Sequence, residues 1–312
     1  MIVCNIYFLL VVKYGMIGYL LAQIIGPLIA SVYILWIIKD SLIETIASKV
    51  DHSIKKEMVA YSIPLIFNSI SLWINAYLDR YFITLMIGSS ENGIYAMAGK
   101  IPTILTTCYT VFSLAWNISA IKEFDAKDED GFISTTYELY NSLLTMVCSG
   151  LILINVPLAK ILYAGDFFVA WKYSSIMLIY VMFNALTAFF GSLFSAMKKT
   201  KVIAMTTIIS AVVNIVLNLV LIPKYGILGA AIATVACYVV MWSVRYLILR
   251  DMMTFDIPIK KHLVIYTLLI LQVVFEHFDN HLYVGQIAVI LLLLYINRDK
   301  LMVLKKSLME RR

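Results

Sequence analysis

Long apolar runs alternate with short polar segments along almost the entire chain. A helix needs about 17–25 mainly apolar residues to cross a bilayer, and only helices or closed barrels satisfy their backbone in lipid. Runs of this length are typical of helices, so the pattern predicts an all-α, polytopic membrane helix bundle. The predicted segments are 2–12, 16–38, 58–87, 92–120, 137–157, 170–197, 202–222, 226–249, 261–276 and 282–297.

Composition excludes a soluble globular protein. Of the 312 residues, 62% are hydrophobic and 14% are charged, whereas a soluble domain carries roughly 25% charged residues. The net charge of +6 does not indicate nucleic-acid binding, because the basic residues lie in short segments between apolar runs.

Motifs that carry catalysis or bind metal do not stand out in the sequence. The four cysteines lie inside apolar runs without a CxxC pair, as expected for buried reduced thiols. The four histidines have no paired metal spacing, and HExxH, P-loop and GxSxG motifs do not occur. We therefore expect no enzyme activity, no cofactor, no catalytic residues and no metal site.

Lysine and arginine are distributed unevenly between the connecting segments. Nineteen of the 25 follow the second, fourth, sixth and eighth runs or lie in the C-terminal tail, and four lie in the opposite loops. This bias places the loops 40–56, 121–135 and 250–260, together with both termini, in the cytoplasm. The larger group includes Lys49, Arg245, Arg311 and Arg312.

An internal repeat relates two parts of the chain. Residues 13–40 align with residues 224–251 without a gap, at an offset of 211 and with seven identities in 28 positions. Both copies begin with Lys-Tyr-Gly-x-x-Gly and end in a basic residue followed by Asp. Two ordinary helices of similar composition are the alternative, but the matched ends favour a duplication of the kind that builds two-lobe transporters.

The repeat also predicts how the chain is organised. The second copy is complete, whereas the first has only its last one and a half helices. We interpret residues 1–50 as the end of an N-terminal lobe, 51–256 as a complete six-helix C-terminal lobe, and 257–312 as two peripheral helices with a basic tail. A longer relative is expected to carry about 150 further residues before the first one here.

Polar residues recur at helical spacing in four of the runs, which places each set on one helix face. Such faces line a water-filled cavity or hydrogen-bond to a neighbouring helix, and four rows in one six-helix unit favour the cavity. The rows are Asn68, Ser71, Asn75 and Asp79; Lys100, Thr103, Thr107, Thr110 and Asn117; Asn141, Thr145 and Ser149; and Thr206, Ser210, Asn214 and Asn218.

Three charged residues lie within predicted helices. Arg80 and Lys100 are each eight residues from the turn 88–92, so both lie about 12 Å below it. Asp79 can neutralise only one of these cations. The alternative is structural: Asp79 pairs with Lys100, and Arg80 extends towards the interface.

Three stretches of sequence resemble the bacterial polysaccharide and O-antigen repeat-unit flippases, a branch of the multidrug/oligosaccharidyl-lipid/polysaccharide exporter superfamily. The stretches are YLDRYFITLMIGSSENGIYAMAGKI (77–101), SAMKKTK (195–201) and NIVLNLVLIPKYGILGAAIATVACYVV (214–240). The resemblance implies two six-helix lobes around a cavity, alternating access and export of an undecaprenyl-pyrophosphate-linked oligosaccharide. It also implies a multi-pass protein of the bacterial cytoplasmic membrane, lacking here its first helices.

Given this resemblance, we expect Arg80, assisted by Lys100, to attract the pyrophosphate, because arginine offers a planar fork that matches phosphate oxygens. Asp79 either holds Arg80 in place or titrates during transport. Expected partners are the lipid-linked oligosaccharide, membrane lipid, a coupling ion (H⁺ or Na⁺) and a polysaccharide polymerase complex. The expected substrate path is lined by Asn68, Asn75, Thr103, Asn214 and Asn218.

Three other functions are compatible with parts of this pattern. A multidrug or lipid-precursor exporter of the same superfamily would carry strong intramembrane acids in the other lobe. A membrane-bound glycan polymerase or glycosyltransferase would show a long outward loop with a cluster of acidic or basic residues, and the predicted outward loops are short. A purely structural membrane subunit or a nonfunctional fragment is the third alternative.

Overall fold

The computed structural model describes residues 2–47, 51–255, 257–278 and 283–310, and helices account for most of them. The prediction of an all-α membrane bundle is confirmed. Lys49, Arg311 and Arg312 lie outside the described residues. The α-helices are α1 (Ile2–Ile6), α2 (Gly15–Ala47), α3 (His52–Met86), α4 (Ser89–Ala98), α5 (Pro102–Lys122), α6 (Phe132–Leu153), α7 (Asn155–Leu162), α8 (Trp171–Ala196), α9 (Thr200–Tyr225), α10 (Ile227–Met252), α11 (Ile259–Phe278) and α12 (Val284–Glu310).

Two predicted segments are not single straight helices. The run 92–120 is interrupted between α4 and α5, because Pro102 has no N–H with which to continue the hydrogen-bond ladder. The run 137–157 bends by 64° between α6 and α7. There Pro157 cannot donate to the carbonyl four residues earlier.

Six helices of the described residues are long and apolar enough to cross a membrane, and the bent pair α6–α7 makes a seventh. Five of the six are α2, α3, α5, α9 and α10. The sixth is Gly165–Ala196, which consists of α8 and the 3₁₀ helix before it. The chain is therefore a multi-pass membrane protein.

Contacts divide the chain into two compact units, Met1–Met58 and Val59–Arg312. The first contains α1, a π-helical turn (Tyr7–Val11) and α2. The second contains most of α3 and all later helices, and it holds every polar contact and cavity described below. Within it, α8 is the central helix, since it packs against α5, α6, α9 and α10.

Stacked aromatic rings fill the core beside α8. The ring of Phe189 lies 4.0 Å from that of Trp116 on α5, and the ring of Phe190 lies 5.1 Å from that of Tyr137 on α6. The Tyr137 hydroxyl accepts a hydrogen bond of 2.9 Å from the indole of Trp242 on α10. These large buried side chains hold four helices together through dispersion and apolar burial.

The two copies of the repeated sequence share a backbone feature. Gly15 and Gly226 both adopt positive φ, at 55° and 60°, which other residues rarely tolerate. Three residues later, an added Cβ at Gly18 would lie 2.9 Å from the carbonyl oxygen of Phe8, and one at Gly229 would lie 2.3 Å from that of Leu221. Both glycines therefore allow close approach to the preceding segment.

The loop between α5 and α6 is organised by two of its acidic residues. The carboxylate of Asp125 accepts the backbone N–H groups of Lys127 and Glu129, at 3.0 and 2.9 Å. These hydrogen bonds lower the pKa of Asp125. Asp128 accepts the N–H groups of Ile133 and Ser134 at the start of α6, where a carboxylate also interacts favourably with the helix dipole.

The two C-terminal helices pack against α6. The amide of Gln272 on α11 exchanges hydrogen bonds with Ser149, and Tyr266 donates to Asn141. On α12, Asn297 accepts from Ser142. Asn141 and Ser149 of the third predicted polar row therefore join α6 to α11.

Candidate functional site

The polar rows of α3 and α9 face each other along a buried seam. Asn68 accepts a hydrogen bond of 2.7 Å from Thr207, and Asn75, two turns further along α3, donates to Ser210 at 3.2 Å. Spacings of seven residues on α3 and three on α9 keep these contacts on one face of each helix. The seam ends at Asp79, which receives hydrogen bonds from Asn214 and Asn218.

Asp79 is the most highly coordinated polar side chain of the seam. Its Oδ1 accepts from Asn214 at 3.1 Å and from Asn218, and its Oδ2 accepts from the Tyr95 hydroxyl at 2.7 Å and from Thr234. Only 2% of the residue is exposed. Neutral groups from α4, α9 and α10 thus satisfy both carboxyl oxygens of Asp79.

The predicted cations occupy different surroundings from Asp79. Arg80 is exposed, and its guanidinium carbon lies 5.9 Å from the centre of the Tyr77 ring. Lys100 is exposed in the turn between α4 and α5. Over the described ranges, no ion pair joins either cation to Asp79, so the alternative of an Asp79–Lys100 pair is not supported.

A cavity of about 180 Å³ lies beside Asp79 and brings three of the predicted residues together: Asn75, Asp79 and Arg80. Hydroxyl and amide groups form much of its remaining wall. These are supplied by Tyr95, Thr106, Tyr109, Tyr180, Asn184, Thr234 and Tyr238.

The remaining predicted residues lie away from this cavity or behind it. Asn214 and Asn218 are fully buried on the α9 side of Asp79. Thr103 is exposed, and its hydroxyl bonds to the carbonyl of Gly99 at 2.9 Å. Asn68 lines a second cavity, of about 240 Å³. Their assignment to a substrate path stays a prediction.

Arg245 is the site residue that the sequence analysis missed. The charge count assigns it to a cytoplasmic loop, but it lies within α10 and is only 5% exposed. Its side chain donates to the hydroxyls of Thr206 and Thr207 at 3.0 and 2.9 Å, and to the carbonyl of Thr187 at 2.6 Å. Four apolar residues, 246–249, separate it from Arg250, and this spacing is the signal that could have placed it inside the membrane.

A cation site within the described residues would contain few acidic side chains. Within them, no group of three or more His, Cys, Asp or Glu side chains is arranged to hold a metal ion. Asp79 with the hydroxyl oxygens of Tyr95 and Thr234 is the arrangement that offers clustered oxygens to a proton or a small hard cation, which prefers oxygen ligands.

The helix order and the buried polar seam define the class of this protein as a multi-pass helical membrane bundle. It superimposes on a solved structure described as "Lipid II flippase MurJ, inward closed conformation", with a TM-score of 0.63, 19% identity and 95% of this chain covered. At this identity, the likeness is one of fold alone.

Sequence comparison identifies one matching family and one curated relative. Residues 1–116 match the family described as polysaccharide biosynthesis protein. A curated relative, the probable low-salt glycan biosynthesis flippase Agl15 of Haloferax volcanii, is 23% identical over 204 residues, or 62% of this chain. These matches confirm the resemblance to polysaccharide flippases that the sequence carries. The chain spans 43% of Agl15 and 66% of the MurJ chain.

Proposed function

We propose that this protein takes part in moving a lipid-linked oligosaccharide across the membrane by alternating access, as a transporter and not an enzyme. The substrate is an undecaprenyl-pyrophosphate-linked repeat unit for surface polysaccharide. The likeness to named flippases supports the class of activity. The observation that supports the substrate is the cavity where Arg80 stands with Asp79 among neutral amide and hydroxyl groups.

The proposed role of each group follows from its chemistry. The Arg80 guanidinium attracts the pyrophosphate, since it can donate two parallel hydrogen bonds to phosphate oxygens. Lys100 adds positive charge at the nearby turn as a point charge. The amides of Asn75 and Asn184 hydrogen-bond to sugar hydroxyls, which need neutral donors and acceptors.

Asp79 is proposed as the site of the coupling ion, H⁺ or Na⁺. A buried carboxylate held only by neutral donors in a membrane-spanning helix is costly unless a cation compensates it. Binding of a proton or Na⁺ would cancel this charge, and release would restore it. The ion would thereby bias α3, α4, α9 and α10 between two arrangements, because Asp79 lies on α3 and accepts hydrogen bonds from the other three helices.

The proposed setting is the bacterial cytoplasmic membrane, with both termini in the cytoplasm and membrane lipid around the bundle. In this proposal residues 51–256 form one six-helix lobe, 1–50 belong to the other lobe, and 257–312 are additional helices. A polysaccharide polymerase complex would receive the exported unit.

Export of surface glycan from cells that depend on this protein tests the proposed substrate site. Arg80→Ala should reduce export at least tenfold, and Arg80→Lys should retain part of it. Lys224→Ala is the matched control, because Lys224 is also an exposed cation but does not line the cavity. Normal export by Arg80→Ala and Lys100→Ala at normal membrane abundance would overturn the assignment.

A further inference from the structure

Arg245 is a buried cation whose charge its described contacts do not cancel. All of its hydrogen bonds run to neutral oxygens: two threonine hydroxyls and the backbone carbonyls of Thr187 and Ile203. These contacts use four of its five N–H groups and leave one on Nη1, and only an anion can neutralise a guanidinium, which stays charged in proteins. A charged side chain within a membrane-spanning helix marks a functional site by default.

The second cavity lies directly against Arg245. It measures about 240 Å³, and its polar wall is formed by the neutral side chains of Asn68, Asn117, Asn184, Ser192 and Ser195. Gly191 lines the same cavity, and an added Cβ there would lie 3.2 Å from Nη1 of Arg245. The glycine therefore lets the guanidinium lie close to the α8 backbone at the wall of this cavity.

The two cavities are adjacent along the helix bundle and share a wall. Asn184 lines both of them. On α3, Asn68 borders the Arg245 cavity and Arg80 borders the other, twelve residues away, which corresponds to about 18 Å of helix. A cation thus stands in each of two adjoining compartments at different depths.

We infer that Arg245 forms a second anion-binding subsite, which takes a phosphate or diphosphate group. This inference rests on the proposed function, since the subsite would hold the phosphate of the same lipid-linked substrate before or after Arg80 does. A phosphate fits the observations because its oxygens accept from the guanidinium, while the surrounding hydroxyl and amide groups donate to the remaining oxygens. The transfer from one compartment to the next needs no bond to form or break.

Binding to the purified full chain in detergent micelles tests the inference. Two probes separate the possible sources of the phosphate: inorganic pyrophosphate, and farnesyl pyrophosphate, which carries a lipid tail. Arg245→Gln should weaken binding of at least one probe by tenfold or more, because it removes the charge but keeps hydrogen-bonding atoms. Arg250→Gln is the matched control, since Arg250 lies exposed on the same helix and should bind as the wild type does.

A second variant covers the case in which Arg245→Gln fails to fold. Asn68→Asp leaves Arg245 in place and keeps the acceptor for Thr207, but it puts a negative charge in the cavity wall. It should weaken pyrophosphate binding at least fivefold at neutral pH. Equal affinities of wild type and Asn68→Asp, or of wild type and a folded Arg245→Gln, would overturn the subsite, as would failure of the wild type to bind either probe.

The binding assay is independent of transport. Arg245-dependent binding without any lipid-linked glycan transport would leave the subsite standing and refute the proposed function. Transport of the glycan together with pyrophosphate binding that does not change in Arg245→Gln would refute the subsite and leave the proposed function standing.

Discussion

The amide nitrogen of Asn214 donates to Oδ1 of Asp79 across 3.1 Å, although 135 residues separate the two positions. The contact joins the seam between α3 and α9 to the carboxylate that faces the first cavity. A change at either residue should therefore be felt at the other. This coupling is the physical link between the proposed ion site and the helices that would move.

The Asp79–Asn214 contact can be measured in a double-mutant cycle. Asp79→Asn and Asn214→Ala should each lower thermal stability in detergent, since lost partners leave buried polar groups unsatisfied at a cost of about 1–3 kcal/mol. The double variant should lose less than the sum, with a coupling of about 0.5–3 kcal/mol. The pair Asp79→Asn and Asn117→Ala is the control: it should be additive, because Asn117 contacts Ser192 instead.

Close packing of α9 and α10 predicts a strong effect at Gly229. Gly229→Val should destabilise the protein severely, because its Cβ would overlap the carbonyl oxygen of Leu221 at 2.3 Å. The loss of stability should exceed that of ordinary overpacking, which is about 1–3 kcal/mol. Gly150→Ala is the matched control in another helix. Nothing lies within 4 Å of a Cβ added at Gly150, so this change should be neutral or stabilising by about 0.5–1 kcal/mol. Equal melting temperatures for the two variants would contradict the observed packing.

Attachment of α11 to α6 depends on a short polar contact. Gln272 is fully buried and exchanges two hydrogen bonds with Ser149, of 2.7 and 2.9 Å. Gln272→Ala should cost about 1–3 kcal/mol by leaving Ser149 groups unpaired, and limited proteolysis should cleave more rapidly in the segment 253–258. Thr267→Ala is the control on the same helix, because Thr267 is exposed and bonds only within its own turn. Unchanged proteolysis of Gln272→Ala would count against this attachment.

The uneven distribution of basic residues predicts an orientation that labelling can test. In a cysteine-free background, Lys127→Cys should react with a membrane-impermeant maleimide only after the cells are opened, whereas Lys224→Cys should react in intact cells. Both lysines are exposed in the structure. Labelling of position 127 from outside intact cells would reverse the orientation.

Local periodicity was sufficient to predict much of the fold and part of the site. The four-residue spacing on α3 and α9 identified Asn75, Asp79, Asn214 and Asn218 as members of inward faces, because a helix repeats every 3.6 residues. The apolar runs similarly predicted most of the long helices, with breaks displaced where Pro102 and Pro157 interrupt the ladder.

The partners across the bundle could not be predicted in this way. Tyr95 and Thr234 reach Asp79 only through the packing of α4 and α10, and helical spacing within one segment carries no information about which segment lies opposite. Arg245 was missed for a related reason: a basic residue near the end of an apolar run resembles a loop residue until the neighbouring helices are known to enclose it.

The most direct test of the central claim is transport in reconstituted vesicles. The protein is placed in liposomes with a fluorescent undecaprenyl-pyrophosphate-linked oligosaccharide, and the fraction exposed to an added membrane-impermeant glycosidase is followed over time. We predict that the protein makes the inner-leaflet substrate accessible, and that Arg80→Ala slows this at least tenfold while Lys224→Ala does not. Accessibility no faster than in protein-free vesicles, with the protein folded and inserted, would contradict the account.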